Sequence, residues 1–430
     1  MEMYKEFQEY LEYLCNGLGH LDRRASFIDY CKGLILPIER KSIEPLAAHS
    51  DPYNVQAKHQ SLHHFISKSD WSDRSILSLI LQWSLPSFGN DNTYYWIVDD
   101  SGIPKKGSHS VGVGRQYCGQ LGKQENCQVA VSLSLATEKG SIPVDYQLYL
   151  TRDWADNPVK RKKAGIPDEI NFHTKPDIAL DQIKRAKESN IPTGIVLADA
   201  GYGDITNFRD TLNSEGLKYA VGIKPTTSVW ANDNKPLPPK EWSGRGAKPK
   251  RLRRDVNNKP ESVKAIAEEL PEEAYRKITW REGTNCKLSS RFARVRVVSA
   301  NKDFLRESMR DEEWLIIEWS ENEKEPTKYW LSNLPAAISF VKMINIIKMR
   351  WRIERDYQEL KQEFGLNHFE GRNWRGFHHH ATLCIAAYAF LMSWRLKSAG
   401  NKKKWIKPEE STLPKDYIPR GSRASSSACA

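Results

Sequence analysis

Closely paired cysteines are missing from this chain. Seven Cys occur, an odd number with no C-x-x-C pair, and the nine-residue step from Cys118 to Cys127 matches no standard zinc spacing. That excludes a disulfide scaffold or a zinc ribbon and leaves reduced thiols in a cytosolic protein. No apolar run is long enough to span a bilayer. The start, MEMYKEFQEYLEYLCNGLGH, is amphipathic and acidic without an apolar signal core. There is no internal repeat, and GVGRQYCG is not a G-x-G-x-x-G phosphate fingerprint. Hydrophobic residues make up only 39%, so long polar loops or exposed helices are expected.

What the chain has in excess is positive charge. Its 65 Lys and Arg against 54 Asp and Glu give a formal +11, which favours a polyanionic partner but fixes no chemistry. Fourteen Trp and seventeen Tyr add rings that can stack on bases, although most serve as core filler. The 430 residues suffice for two or three domains.

Residues 1–88 read as helical, with RRASFIDYCKGLIL and RSILSLILQWSL carrying apolar residues at helical spacing. Arg23-Arg24 and Arg40-Lys41 are basic clusters suited to DNA there. Pro86 and SFGNDN place a boundary near residue 90. Strands follow: YYWIVDD (94–100), NCQVAVSLSLAT (126–137) and VDYQLYLTRDW (144–154), the last two joined by an EKGSIP hairpin. A helix from TKPDIALDQIKRAKES, the strand in GIVLADAGYG, a helix from ITNFRDTLNSEG and the strand LKYAVGIKP complete an α/β pattern. SGRGAKPKRLRRD (243–255) is a basic loop fit to bind phosphate, and further strand-like runs extend to residue 334. One long helix is predicted from about Ala337 to Phe364, stopped by Gly365, and another over 379–397. The histidines of HHH (378–380) are expected at a helix-start surface or a DNA contact.

Within the first of these helices, Arg350, Glu354 and Lys361 stand four and eleven residues apart, which places them within roughly 40° on one stripe. Met349, Ile353, Leu360 and Phe364 form the adjoining core face, while Arg352, Arg355, Asp356 and Glu359 take the side that can face water. Asp99 and Asp100 end the first strand and Asp199 ends the fourth, where open α/β sheets bind ligands. Converging carboxylates repel unless cations neutralise them, and Mg²⁺ bound to carboxylates and phosphate oxygens suits phosphoryl transfer.

These residues also carry a resemblance. RWRIERDYQELK resembles the Tyr-Arg-Glu-Lys signature of one branch of bacterial insertion-sequence transposases, the cut-and-paste DDE enzymes, with Arg four before the catalytic Glu and Lys seven after it. Ile347 stands where the signature has Tyr. IVDDSGIPKKGSHSVGVGRQYCGQLGKQENCQVAV and ADAGYG resemble the two aspartate blocks, and the similarity runs from about residue 20 to 395.

The resemblance implies a ribonuclease-H-like core, a mixed five-stranded sheet flanked by helices, over 89–225 and 335–398. A helical N-terminal DNA-binding domain over 1–88, a β-rich insertion over 226–334 and a mobile basic tail over 399–430 complete the expected division. It implies Asp100, Asp199 and Glu354 as catalytic ligands of two Mg²⁺ ions, with Mn²⁺ able to substitute; Asp99 is the alternative to Asp100, which Ser101 favours by following it. Arg350, Lys361, Lys105, Lys106 and Arg115 would contact DNA, with His109 near them. Trp330 is a core residue or a stacking platform. The implied activity is cutting and joining double-stranded DNA at the terminal inverted repeats of the element, by a homodimer in the synaptic complex, on the bacterial nucleoid. A DNA-binding repressor or architectural protein that has lost catalysis is the rival reading.

Overall fold

The computed structural model describes residues 2–89, 93–231, 234–282, 287–321 and 323–402. Helical periodicity in the first part becomes α1 (Glu2–Cys15), α2 (Arg24–Ile35), α3 (Ile43–Ser50), α4 (Val55–Ser67) and α5 (Asp73–Phe88). Ser72 caps α5 by accepting the Ser75 N–H. The boundary expected near residue 90 falls on 90–92, outside the described residues.

Strands then take over: β1 (Tyr95–Pro104), β2 (Gly114–Cys118), β3 (Lys123–Ala136) and β4 (Ser141–Leu148). The strand expected to continue to residue 154 ends at Leu148, because the chain turns at Thr151 into α6 (Arg152–Ala155), followed by α7 (Pro158–Ala164). A reciprocal Thr174–Asp177 capping box opens α8 (Lys175–Glu188). Next come β5 (Ile195–Ala198), the one-turn α9 (Ala200–Gly203), α10 (Thr206–Ser214) and β6 (Tyr219–Ile223). β1, β5 and β6 run parallel, while β3 is antiparallel to β1 and to β4, giving the order β4-β3-β1-β5-β6.

The next stretch holds β7 (Ser228–Ala231), β8 (Glu261–Ser262), α11 (Val263–Glu269), β9 (Arg276–Glu282), β10 (Lys287–Ser299), β11 (Glu313–Trp319) and β12 (Lys328–Ser332). These strands share the sheet of the preceding ones. β12 pairs antiparallel with β6, with Leu331 opposite Val221, so the described residues form one twelve-stranded mixed sheet. This pairing covers the backbone donors and acceptors that β6 would otherwise expose at an edge.

Helices α12 (Phe340–Lys348), α13 (Trp351–Gln362) and α14 (Trp374–Lys402) follow. The single helix expected from 337 to 364 is therefore divided at Met349 and Arg350, and Gly365, at φ 69°, turns the chain after it. The second begins at Trp374, more than a turn before the expected start. Most of the 399–430 tail lies beyond residue 402, outside the described residues.

The sheet has two buried faces. On one, Ile97 and Leu197 pack in a cluster with Ile353 and Leu360 of α13 and with α14. The same cluster takes in Tyr10, Phe27, Leu34 and Phe65, so the N-terminal helices share their core with α14. On the other face, Trp96, Val98, Val196 and Ala198 meet Ile178 and Ile183 of α8 and Phe208 of α10. Among the described residues no helix is long and apolar enough to cross a membrane.

Candidate active site

Strand alternation decides which acids can meet. Successive side chains of β1 point to opposite faces; Tyr95 and Ile97 lie on the α13 face, Trp96 and Val98 on the α8 face. Continued by two residues, the alternation sends Asp99 toward α13 and Asp100 toward α8. The contacts agree. Asp99 Oδ2 accepts from Arg350 Nη1 at 3.0 Å, whereas Asp100 accepts from Lys175 Nζ at 2.8 Å and Tyr202 Oη at 3.1 Å.

The same rule governs β5. Leu197 faces α13 and Ala198 faces α8, so Asp199, the next residue, returns to the α13 side. In the parallel pairing Ile97 is level with Leu197, which sets Asp99 and Asp199 each two residues further along adjoining strands. Asp199 Oδ1 accepts the Gly201 N–H at 2.8 Å and so starts α9. That turn lies so close to β6 that a Cβ on Gly203 would meet the Gly222 carbonyl oxygen at 2.1 Å, which explains the glycine.

Glu354 reaches the group through Arg350, at the break between α12 and α13. The guanidinium donates to Glu354 Oε1 at 2.5 Å as well as to Asp99. Burial lowers the Arg350 pKa, but Asp99, Glu354 and Asp199 outweigh it and hold the group above its usual value. Burial, together with the charges of Asp199 and Asp100, pushes Asp99 up to about 7 against the pull of Arg350. Among the described residues no three His, Cys, Asp or Glu side chains stand close enough, as placed, to hold one metal ion. Arg350 lies between two of the acids and supplies the positive charge there.

Asp199, Arg350 and Glu354 open onto a cleft of about 530 Å³. Trp280, Trp330 and Lys348 form another part of its wall. Lys348 donates to both oxygens of the buried Glu318 carboxylate at 2.7 Å and lies 4.1 Å from the Trp280 ring centroid. Trp330 is half-buried, packed on the core and forming cleft wall at once. Lys175, Tyr202, Glu318, Trp280 and Lys348 went unnoticed in the sequence; only the tyrosine carried a signal, between two glycines after Asp199.

Other expected contacts are arranged differently. Lys361 Nζ donates to the Gly102 carbonyl at 2.8 Å, tying α13 to β1, and burial lowers its pKa. Lys105 is half-buried, donates to the Phe369 carbonyl at 2.6 Å and has its pKa lowered by burial to about 8. Lys106, His109 and Arg115 are exposed near the far end of β1 and on β2. Arg23 bonds the carbonyls of Leu18 and Asp70, Arg24 pairs with Glu12, Arg40 with Glu370, and Lys41 is buried against Leu34 and Leu36 carbonyls.

Two sequence expectations are overturned here. The HHH histidines are buried, not on a surface: His379 stacks on Trp71, and His380 lies between Tyr30 Oη and the Gly365 carbonyl. Asp356 does not face water. α14 covers it, Ser141 and Tyr388 donate to it at 2.6 and 2.7 Å, and burial raises its pKa to about 6.

The family model of the DDE superfamily endonucleases matches residues 13–287, which include both aspartate blocks and end before Glu354. A probable transposase for insertion sequence element IS701 from Microchaete diplosiphon is 32% identical over 193 residues, 45% of this chain and 47% of that protein. The chain thus matches about half the length of this curated relative. A solved piggyBac transposase synaptic complex with hairpin DNA aligns over 88% of this chain and 67% of that one, at 11% identity and a TM-score of 0.43. With well over half of its residues inside the family model, the chain belongs to the DDE superfamily of endonucleases.

Proposed function

We propose that this chain is a transposase with a ribonuclease-H-like core, cutting and joining double-stranded DNA at the terminal inverted repeats of its own insertion sequence. The observation that carries this reading is the parity of β1 and β5, which sets Asp99 and Asp199 on the face where Arg350 holds Glu354. We place Asp99 in the role that the sequence motif gave to Asp100.

The donor set fits Mg²⁺, which prefers carboxylate, water and phosphate oxygens. Asp99 and Asp199 stand on adjoining strands and Arg350 joins Asp99 to Glu354, so the three carboxylates that would hold a cation already converge on one guanidinium. Asp99, Asp199 and Glu354 would hold two such ions, with Mn²⁺ as substitute, and their chemistry is to activate the attacking oxygen and stabilise the leaving one. The protein's own part is orientation. Arg350 has five N–H donors, more than its two carboxylate contacts use, so a phosphate entering the cleft meets a pre-placed guanidinium. Tyr202 links the turn after Asp199 to Asp100 on β1, holding the two aspartate strands in register. A homodimer would bring two element ends together.

The test uses duplexes carrying the inverted repeats that flank the gene. Mg²⁺-dependent nicking at the repeat boundary followed by joining to a second duplex is expected, with both steps lost in Glu354→Gln. Cleavage that persists in Glu354→Gln, or binding without cleavage by the wild-type chain, would overturn the assignment.

A further inference from the structure

The basic loop between β7 and β8 plays no part in the cleft, and its shape is specific. Residues 240–251, KEWSGRGAKPKR, are exposed without a break and hold five cations against one acid. The loop is nonetheless closed at its base. Leu237 and Arg253 exchange backbone hydrogen bonds at 2.8 and 2.9 Å, and the Leu252 N–H donates to the Arg306 carbonyl at 3.0 Å. Arg253 and Arg254 serve this base, through the Pro238 carbonyl and Asp303.

The tip is built around one arginine. Gly244 at φ 82° and Gly246 at φ 74° flank Arg245, and the Trp242 Nε1–H donates to the Gly246 carbonyl at 3.2 Å across it. Positive φ on both sides suits glycine and turns the backbone sharply. Neither sequence neighbour of Arg245 therefore has a side chain to obstruct its entry into a narrow groove, and the Trp242 ring braces the turn. Lys248, Pro249, Lys250 and Arg251 follow; among the described residues, Lys250 is the one of these cations with an ion pair, at 3.6 Å to exposed Glu307.

We propose that this loop docks on duplex DNA with Arg245 in the minor groove of an A·T-rich segment and Lys248 and Arg251 on the flanking phosphates. A narrow A·T minor groove concentrates negative potential, which an inserted guanidinium meets. Phosphate contacts from the lysine and arginine add salt-dependent affinity that ignores sequence. β7 lies four strands from β6 in the sheet order β6-β12-β11-β10-β7. The four residues 224–227 nevertheless join β6 directly to β7, and Thr227 Oγ1 donates to Asp204 just beyond the turn after Asp199, which ties the strand that leads into the loop to the aspartate strands. The inference rests on DNA being the partner, and it reads binding rather than cleavage so that the two proposals can fail separately.

The test measures fluorescence anisotropy of the full chain on A·T-rich and G·C-rich duplexes of equal length without element ends, over a salt series. Wild type is expected to prefer the A·T-rich duplex, and Arg245→Ala to reduce that preference by roughly tenfold, the scale of one lost groove contact. Lys248→Ala and Arg251→Ala should weaken both duplexes equally and lower the salt slope by about one each. Equal binding of both duplexes by wild type, or an unchanged preference in Arg245→Ala, would overturn the groove contact. Loop-dependent binding by a chain that never cleaves would leave this inference standing and remove the transposase reading. Thermal melting of each variant, expected to match wild type, confirms that only the exposed loop was altered.

Discussion

At Asp99 and Asp100, two adjacent carboxylates sit in opposite environments because a strand alternates. Asp99 is half-buried beside a guanidinium, and Asp100, also half-buried, is held by an ammonium and a phenol on the other face. Asp99→Asn is expected to abolish nicking of end-containing DNA, since an amide keeps the shape but loses the charge. Asp100→Asn should retain measurable nicking, because an amide oxygen still accepts from Tyr202. Single-turnover cleavage by the two variants settles the choice; loss only in Asp100→Asn would return the role to Asp100. Arg350→Ala should slow cleavage tenfold or more, about 1.4 kcal/mol of transition-state stabilisation. Lys361→Ala should instead lower the melting temperature, as Lys361 Nζ ties α13 to β1 through the Gly102 carbonyl. The stripe of Arg350, Glu354 and Lys361 was legible from helical spacing. The choice between the aspartates was not: both faces of β1 carry apolar residues, so the pattern does not say which one α13 covers.

At the scale of elements, α14 was legible as an apolar helix, but its neighbours were not. Its histidines read as surface residues because nothing in their spacing reveals that α2 and α4 pack over them. His380 shows the consequence. Its neutral ring can accept from Tyr30 Oη at one nitrogen and donate to the Gly365 carbonyl at the other. Burial lowers its pKa to about 4. An unfolded histidine titrates near 6.5, so between those values the unfolded chain binds more protons and this contribution to stability falls as pH falls. His379, also lowered to about 4, acts in the same direction. Asp356 and Asp99, raised to about 6 and about 7, act in the opposite one, so the raw acid limb mixes signs. The difference between wild type and His380→Gln isolates the term. The variant should melt lower at pH 7, and the gap should narrow steadily toward pH 4. A gap that stays constant or widens would show that His380 is not held neutral.

Across the whole molecule, the succession of β1, β3, β4, α8, β5, α10 and β6 along the chain was legible from alternation, turn residues and helical periods, whereas β2, α6 and α7 were too short to show. The joining of parts was not legible, because pairing between β6 and β12 spans more than a hundred residues and leaves no local mark. Tyr219 donates to the buried Glu313 at 2.7 Å, and Arg310 grips Asp210 through both oxygens at 2.9 and 3.0 Å, binding the two halves of the sheet. The N-terminal helices are joined to the rest as firmly. Tyr10 donates to the Ala386 carbonyl at 3.0 Å and stacks on Phe390, Phe7 packs tilted against the same ring, and Trp71 stacks on His379. A chain lacking residues 2–88 is therefore expected to lose its cooperative fold, because α14 would expose an apolar face that the sheet alone cannot cover. Phe390→Ala in the full chain should be the milder version, costing about 3–5 kcal/mol as a large buried ring is removed. Thermal melting and limited proteolysis of both proteins decide the matter. A truncated chain that is monomeric, protease-resistant and melts in one sharp transition would show that the catalytic sheet carries its own core, and that the N-terminal helices are a separable module after all.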